Sequence, residues 1–150
     1  MSLSTTILDE ILLVLPKKPS KIMSIGSGSG LLEALLINHC PDIDIEGVEV
    51  NSSVNRYLPS HQIRIVKGTW DLCREAQQIE AWMFVYPRSP DLLKHYFDQY
   101  GRSSCLQKVI WIGPIVDWES FKAAFDHVDK QHRKSVSLSA FENMMVFEVP

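Results

Sequence analysis

This chain has no pair of cysteines spaced for a disulfide framework or a metal knuckle: Cys40, Cys73 and Cys105 are odd in number, widely separated and free of any C-x-x-C pattern. They read as reduced thiols. No apolar run approaches the roughly 18 residues of a membrane span, and the N-terminus lacks a basic region leading into an apolar run and cleavage site. The expectation is therefore no membrane association and a cytoplasmic protein, with the nucleus left open. No stretch carries an excess of one charge. Fifteen Lys and Arg stand against 18 Asp and Glu, a net charge of -3 with the basic residues scattered, which argues against nucleic acid as a partner. Five histidines (His39, His61, His95, His127 and His132) form no ligand pair with a carboxylate, so surface positions and no metal site are expected. Internal repeats and low-complexity linkers are lacking as well.

What is present suffices for one core. With 150 residues, 45% of them apolar, and a mean hydropathy of -0.03, the chain reads as one globular domain: residues 1–20 an N-terminal helix and lead-in, residues 21–150 the core. The organising stretch is KIMSIGSGSG, residues 21–30, where an apolar strand pattern stops at alternating glycines and serines and the helical pattern LLEALLINH begins. Glycine serves twice at such a strand-to-helix turn. It lets the chain reverse, and it leaves bare backbone and unpaired helix N–H groups for a ligand. A dinucleotide fingerprint would place a glycine or alanine at Leu31, so G-x-G-x-G at Gly26, Gly28 and Gly30 is a different pattern. The next apolar strand ends at Glu49 and Val50, about 20 residues beyond the glycines, where a carboxylate is placed to accept hydrogen bonds from ribose hydroxyls.

At these residues the chain resembles the class I, Rossmann-like S-adenosylmethionine-dependent methyltransferases, over about residues 20–150. The resemblance implies an α/β, doubly wound, mostly parallel seven-stranded sheet closed by a C-terminal antiparallel hairpin. It implies S-adenosyl-L-methionine bound by Ser24, Gly26, Ser27, Gly28, Gly30, Glu49, Val50, Gly68, Thr69 and Trp70. Ser24 departs from the family, which carries an acid there, as do Thr69 and Ala81 at positions where acids are common. Trp70 reads either as a purine-stacking ring or as a core residue at a helix start, the latter slightly favoured.

The most apolar strand, AWMFVYP (81–87), ends in YPRSP, where the family brings substrate to the methyl donor. Tyr86 stands where amino-group methyltransferases carry Asn or Asp, so Tyr86 as a positioning wall and Arg88 as an anion fork are the catalytic candidates. Asp91 lies beside them, and His95 is a remote candidate base. The expected activity is methyl transfer to a small molecule, or with recognition borrowed from a protein partner; a homodimer is left open. The alternative is a catalytically inactive methyltransferase-like scaffold.

Further elements follow the same periodicity. Helices are expected at 6–15 (with Thr6 and Asp9 as a capping box), 51–58, 70–78, from Ser89 or Pro90 to Gly101, and 117–131. Strands are expected at 61–68, 108–113 and on either side of a Glu142-Asn143 turn. Trp118, Phe121, Ala124, Phe125 and Val128 share one helix face and are assigned to the core.

Overall fold

A computed structural model describes residues 3–68, 70–126 and 133–149. Thr69, His127, Val128, His132 and the end of the helix expected over 117–131 lie outside them. In chain order the elements are α1 (Thr5–Val14), β1 (Lys21–Ile25), α2 (Leu31–His39), β2 (Asp44–Glu49), β3 (Ile63–Ile65), β4 (Ala81–Val85), α3 (Pro90–Tyr100), β5 (Lys108–Pro114), α4 (Trp118–Phe121), β6 (Arg133–Ser137) and β7 (Glu142–Glu148).

The strands form one sheet in the order β3-β2-β1-β4-β5-β7-β6. Strands β1 to β5 pair in parallel, whereas β7 runs antiparallel to both β5 and β6. This is the doubly wound sheet with a terminal hairpin that the sequence implies. The hairpin turn falls at residues 138–141, and Glu142 and Asn143 belong to β7.

Alternate residues of each central strand enter different cores, as the period of two in a strand requires. Trp82, Phe84, Val109, Trp111, Met145 and Phe147 join an aromatic cluster with Tyr96 and Phe97 of α3 and Phe121 and Phe125. Ala81, Met83, Ile110, Ile112, Met144 and Val146 face an aliphatic cluster built with Ile7 and Ile11 of α1 and Leu32 and Leu36 of α2. The aromatic layer is closely joined: Phe125 stacks on Phe147 with centroids 4.3 Å apart, and Trp111 meets Trp118 at 5.1 Å. The core assignment of Phe121, Ala124 and Phe125 holds, with Trp118 packed partly buried against them. Truncating a fully buried ring such as Trp82 costs about 3–5 kcal/mol.

Helices α1 and α2 therefore cover one face and α3 and α4 the other. Because β1 leads outward to β2 and β3 while β4 leads to β5 in the opposite direction, the chain reverses its winding between β1 and β4. The loops leaving these two strands part to opposite faces and open a crevice at their carboxyl ends.

Two expected helices are replaced by tighter structure, in each case because side chains or remote carbonyls capture the N–H groups a helix needs. After β2 only a 3-10 turn forms, at Ser52–Val54. Beyond it the Asn55 amide bonds both the N–H and the carbonyl of Leu58, and the N–H groups of Arg56 and Tyr57 donate to Ser29. After β3 a 3-10 segment, Arg74–Gln78, stands for the helix over 70–78, since the Cys73 N–H donates to the Tyr96 hydroxyl at 3.0 Å. Helix α1 is capped by Ser4, whose hydroxyl accepts from the Ile7 N–H, in place of the Thr6–Asp9 box.

Candidate functional site

The glycine turn lies on the β1 side of the crevice. Gly26, Gly28 and Gly30 have φ of +79°, +59° and +81°, a conformation that costs a residue with a Cβ about 1–2 kcal/mol. The two N–H groups of Gly26 and Ser27 donate to the Val48 carbonyl, at 2.8 and 3.2 Å, which ties the turn to β2. A Cβ built on Gly26 or Gly28 would meet nothing within 4 Å, so open space lies above this backbone. At Gly30 the space is filled: a Cβ would lie 2.9 Å from both Asn55 and Leu58.

Glu49 closes β2 against this turn. Its Oε2 accepts from the Gly28 N–H at 2.8 Å and its Oε1 from the Val50 N–H at 3.0 Å. Each oxygen keeps lone-pair capacity after these bonds, so the carboxylate is oriented and still able to accept from a vicinal diol.

Ser24 lies beneath the turn with no exposure, and its hydroxyl donates to Glu33 Oε1 at 2.8 Å. A direct contact from Ser24 to a ligand is therefore not available in this arrangement. The acid beside Ser24 is Glu33, in the first turn of α2 and itself 2% exposed, whose Oε2 has no hydrogen-bond partner among the described residues. Burial pushes its carboxyl above the usual 4.5, opposed by the bond from Ser24. Ser27 turns inward, its hydroxyl seated over Gly47 and likewise without a hydrogen-bond partner among the described residues. Val50 is exposed beside Glu49.

The turn after β3 is drawn together by Asp71, whose carboxylate accepts from the Lys67 N–H at 2.8 Å. Trp70 is 74% exposed, so the core assignment for this ring does not hold; it lies across Gly68, which has no side chain to displace it. Cys73, close by, is buried, and burial, then the bond from its thiol to Glu75, pushes it up to about 12.

On the β4 side, Tyr86 follows the strand with φ +50°, and its N–H donates to the Ile112 carbonyl at 2.7 Å. Its phenol donates to Glu142 Oε2 at the start of β7. Burial, then that bond and the charges of Glu142 and Asp117, raises the phenol well above its ordinary value. Arg88 is exposed, with no ion pair among the described residues, and Asp91 is exposed in the first turn of α3 behind the Ser89 cap. His95 is not gathered with them. It lines a shallow depression of about 560 Å³ with Trp70, Arg74 and Asp98, and a second of about 600 Å³ lies beside Gln77, Tyr100 and Arg102; neither includes the glycine turn. His39 and His61 are exposed as expected, and no group of three metal-ligating side chains occurs among the described residues. No helix among them is long and apolar enough to cross a membrane.

Glu33 and Glu142 are the two residues of the edge that sequence reasoning passed over. An acid between leucines in LLEALL was the available signal for the first, while nothing local marks the second.

No protein-family profile matches the sequence, and no curated protein matches it. Solved structures do match. The methyltransferase domain of bacterial CtHen1 superposes with a TM-score of 0.65 at 16% identity, over 96% of this chain and 98% of that one. Sp1610 of Streptococcus pneumoniae, a candidate tRNA (m1A22) methyltransferase, gives 0.64 at 13% identity over 99% and 71%. Atu636 of Agrobacterium tumefaciens, a predicted O-methyltransferase, gives 0.67 at 10% identity over 97% and 80%. What the chain shares with these proteins at such identities is the fold, the seven-stranded Rossmann-like sheet of methyltransferases.

Proposed function

We propose that this chain is an S-adenosylmethionine-dependent methyltransferase whose donor lies in the crevice between β1 and β4. The observation that carries the reading is the Gly28–Glu49 clasp at the winding reversal: a turn of three left-handed glycines, open above Gly26 and Gly28, with an oriented carboxylate at its side. Bound there, the cofactor would supply a methyl group activated on a sulfonium. Glu49 would accept from its ribose hydroxyls, with Val50 beside it. Gly26 to Gly30 would present bare backbone to it, and Gly68 and Trp70 would flank the adenine. The buried Ser24–Glu33 pair would support the turn from behind, with Ser27 pinned on Gly47. The open cradle above Gly26 and Gly28 fits a ligand that lies against bare backbone.

Methyl transfer is an in-line displacement, so alignment of nucleophile and methyl group is most of what the protein must provide. Tyr86, at the carboxyl end of β4, is the group placed for this on the acceptor side, with Arg88 two residues on. The substrate is a small molecule or one presented by a partner. A structural neighbour described as acting on tRNA removes the weight that the scattered basic residues lent to excluding nucleic acid.

A thermal shift with S-adenosylmethionine, S-adenosylhomocysteine and NAD side by side tests the reading. At a hundredfold excess over the dissociation constant, binding adds about 2.7 kcal/mol, roughly 5–10 °C for a domain of this size. A shift with the two sulfur compounds alone is expected. A shift with NAD alone, or with none, would move the assignment to a dinucleotide module or a scaffold.

A further inference from the structure

We propose that Glu142 is a positioning residue for Tyr86, holding its phenol at the end of β4 so that the phenol oxygen takes the proton released by an amine or hydroxyl acceptor that carries no negative charge. The inference rests on the methyltransferase reading and assigns the acceptor side of that same site.

The pair is built by the register of three strands. Glu142 opens β7 opposite Pro114, the last residue of β5, and β5 lies beside β4, whose end carries Tyr86. The two residues are 56 positions apart in the chain, so nothing but the sheet brings them together. Tyr86 is 38% exposed and Glu142 only 8%, so the phenol spans from the open edge to a buried carboxylate. The carboxylate is held in turn by the Ser139 hydroxyl, which donates to Oε1 at 3.1 Å. Tyrosine in the left-handed region is strained, and the bond to Glu142 holds the side chain of that strained residue.

A phenol that donates to a carboxylate has both oxygen lone pairs available to accept from an N–H or O–H group. When the acceptor heteroatom forms its bond to the methyl carbon, the carbon–sulfur bond breaks with its electron pair left on sulfur. The acceptor proton passes to Tyr86 Oη as the phenol's own proton passes to Glu142 Oε2, and Glu142 later loses it to water. Among the described residues, the charged groups that raise the phenol are Glu142 from β7 and Asp117 from the segment after β5. Both are acidic, and the exposed neighbours along the chain, Ile115, Val116 and Phe141, are apolar. This setting disfavours an anion at the phenol itself, with the exposed Arg88 two residues further along the chain.

Two measurements test the pair and the acceptor separately. Without any ligand, the ultraviolet titration of the phenolate, taken as the difference between the unmodified chain and Tyr86→Phe, should give a phenol titrating above the ordinary tyrosine range. Repeating the difference in a Glu142→Gln background should bring it down; an unchanged titration would overturn the positioning role. Because no cofactor is involved, that failure is distinct from failure of the donor reading, which S-adenosylhomocysteine binding reports. Labelled methyl transfer to aromatic amines, phenols and aromatic carboxylates then tests the acceptor. Labelling of amines or phenols, reduced about 10²-fold or more by Glu142→Gln with donor affinity unchanged, is expected. Labelling of carboxylates alone, or of none of the three while the donor binds, would overturn the acceptor class.

Discussion

On the β1 side of the crevice, Gly28 and Glu49 meet across 21 residues of chain, whereas on the β4 side Tyr86 meets Glu142 across 56. The first region is one strand-turn-helix and the strand beside it, and its backbone N–H groups donate to the Glu49 carboxylate and the Val48 carbonyl. The second is assembled from the ends of three strands and depends on a side-chain pair, with the Tyr86 N–H tied to the Ile112 carbonyl. The glycine turn can be written locally, because backbone geometry does the holding. The Tyr86–Glu142 pair is composed from distant parts of the chain, and there the sheet, not the local pattern, decides which residues meet.

Substitutions can set these two regions against each other. The largest effect is expected at Gly30→Val, where a left-handed backbone and a Cβ 2.9 Å from Leu58 and Asn55 combine: stability measured by denaturant should fall by about 2–5 kcal/mol. Gly28→Ala has the strain without the collision and should lose only about 1–2 kcal/mol. Equal losses at both would mean that packing of the loop after β2 on Gly30 contributes nothing. Next, Glu49→Ala should weaken donor binding by about 1–3 kcal/mol, since it removes a charge-assisted acceptor and leaves the Gly28 N–H unpaired. Trp70→Ala should hardly alter stability, given an exposed ring, while lowering affinity for an adenosine ligand by about 1 kcal/mol, read by titration calorimetry. A large loss of stability with unchanged affinity would return Trp70 to a structural role.

The smallest expected effect concerns the acid beneath the turn. Burial holds the Glu33 carboxyl above 4.5 in the folded chain, so the folded form keeps its proton to higher pH than the unfolded form does. The associated stability is complete below pH 4.5 and is lost as the pH rises through the folded value. Denaturation midpoints taken upward from about pH 4 should decline less in Glu33→Gln than in the unmodified chain. An identical decline would assign it to other groups.

The same division between local and distant explains what could be read from the sequence. KIMSIGSGSG and the acid closing IDIEGVEV lie within one βαβ unit, so the turn and the acid at the end of the next strand were legible. The terminal hairpin was legible for a similar reason, with its turn displaced toward 138–141. The helices expected over 51–58 and 70–78 were not formed, because the Asn55 amide, the Ser29 carbonyl and the Tyr96 hydroxyl engage their N–H groups from outside the helical pattern. Nor could Ser24 reveal that it bonds a buried acid, Glu33, since the two meet only once α2 folds back over β1. Tyr86 was visible as the end of an apolar strand. Its partner was not, because the pairing of β5 with β7 is what sets Glu142 beside it.

The most direct test of the donor site is a calorimetric titration of S-adenosylhomocysteine into the unmodified chain and into Glu49→Ala. Saturable binding to the first, weakened about five- to 150-fold in the second, is the predicted result, being the affinity equivalent of about 1–3 kcal/mol. Equal affinity in both chains, or no binding to the unmodified one, would contradict the placement of a methyl donor against Glu49 and the glycine turn.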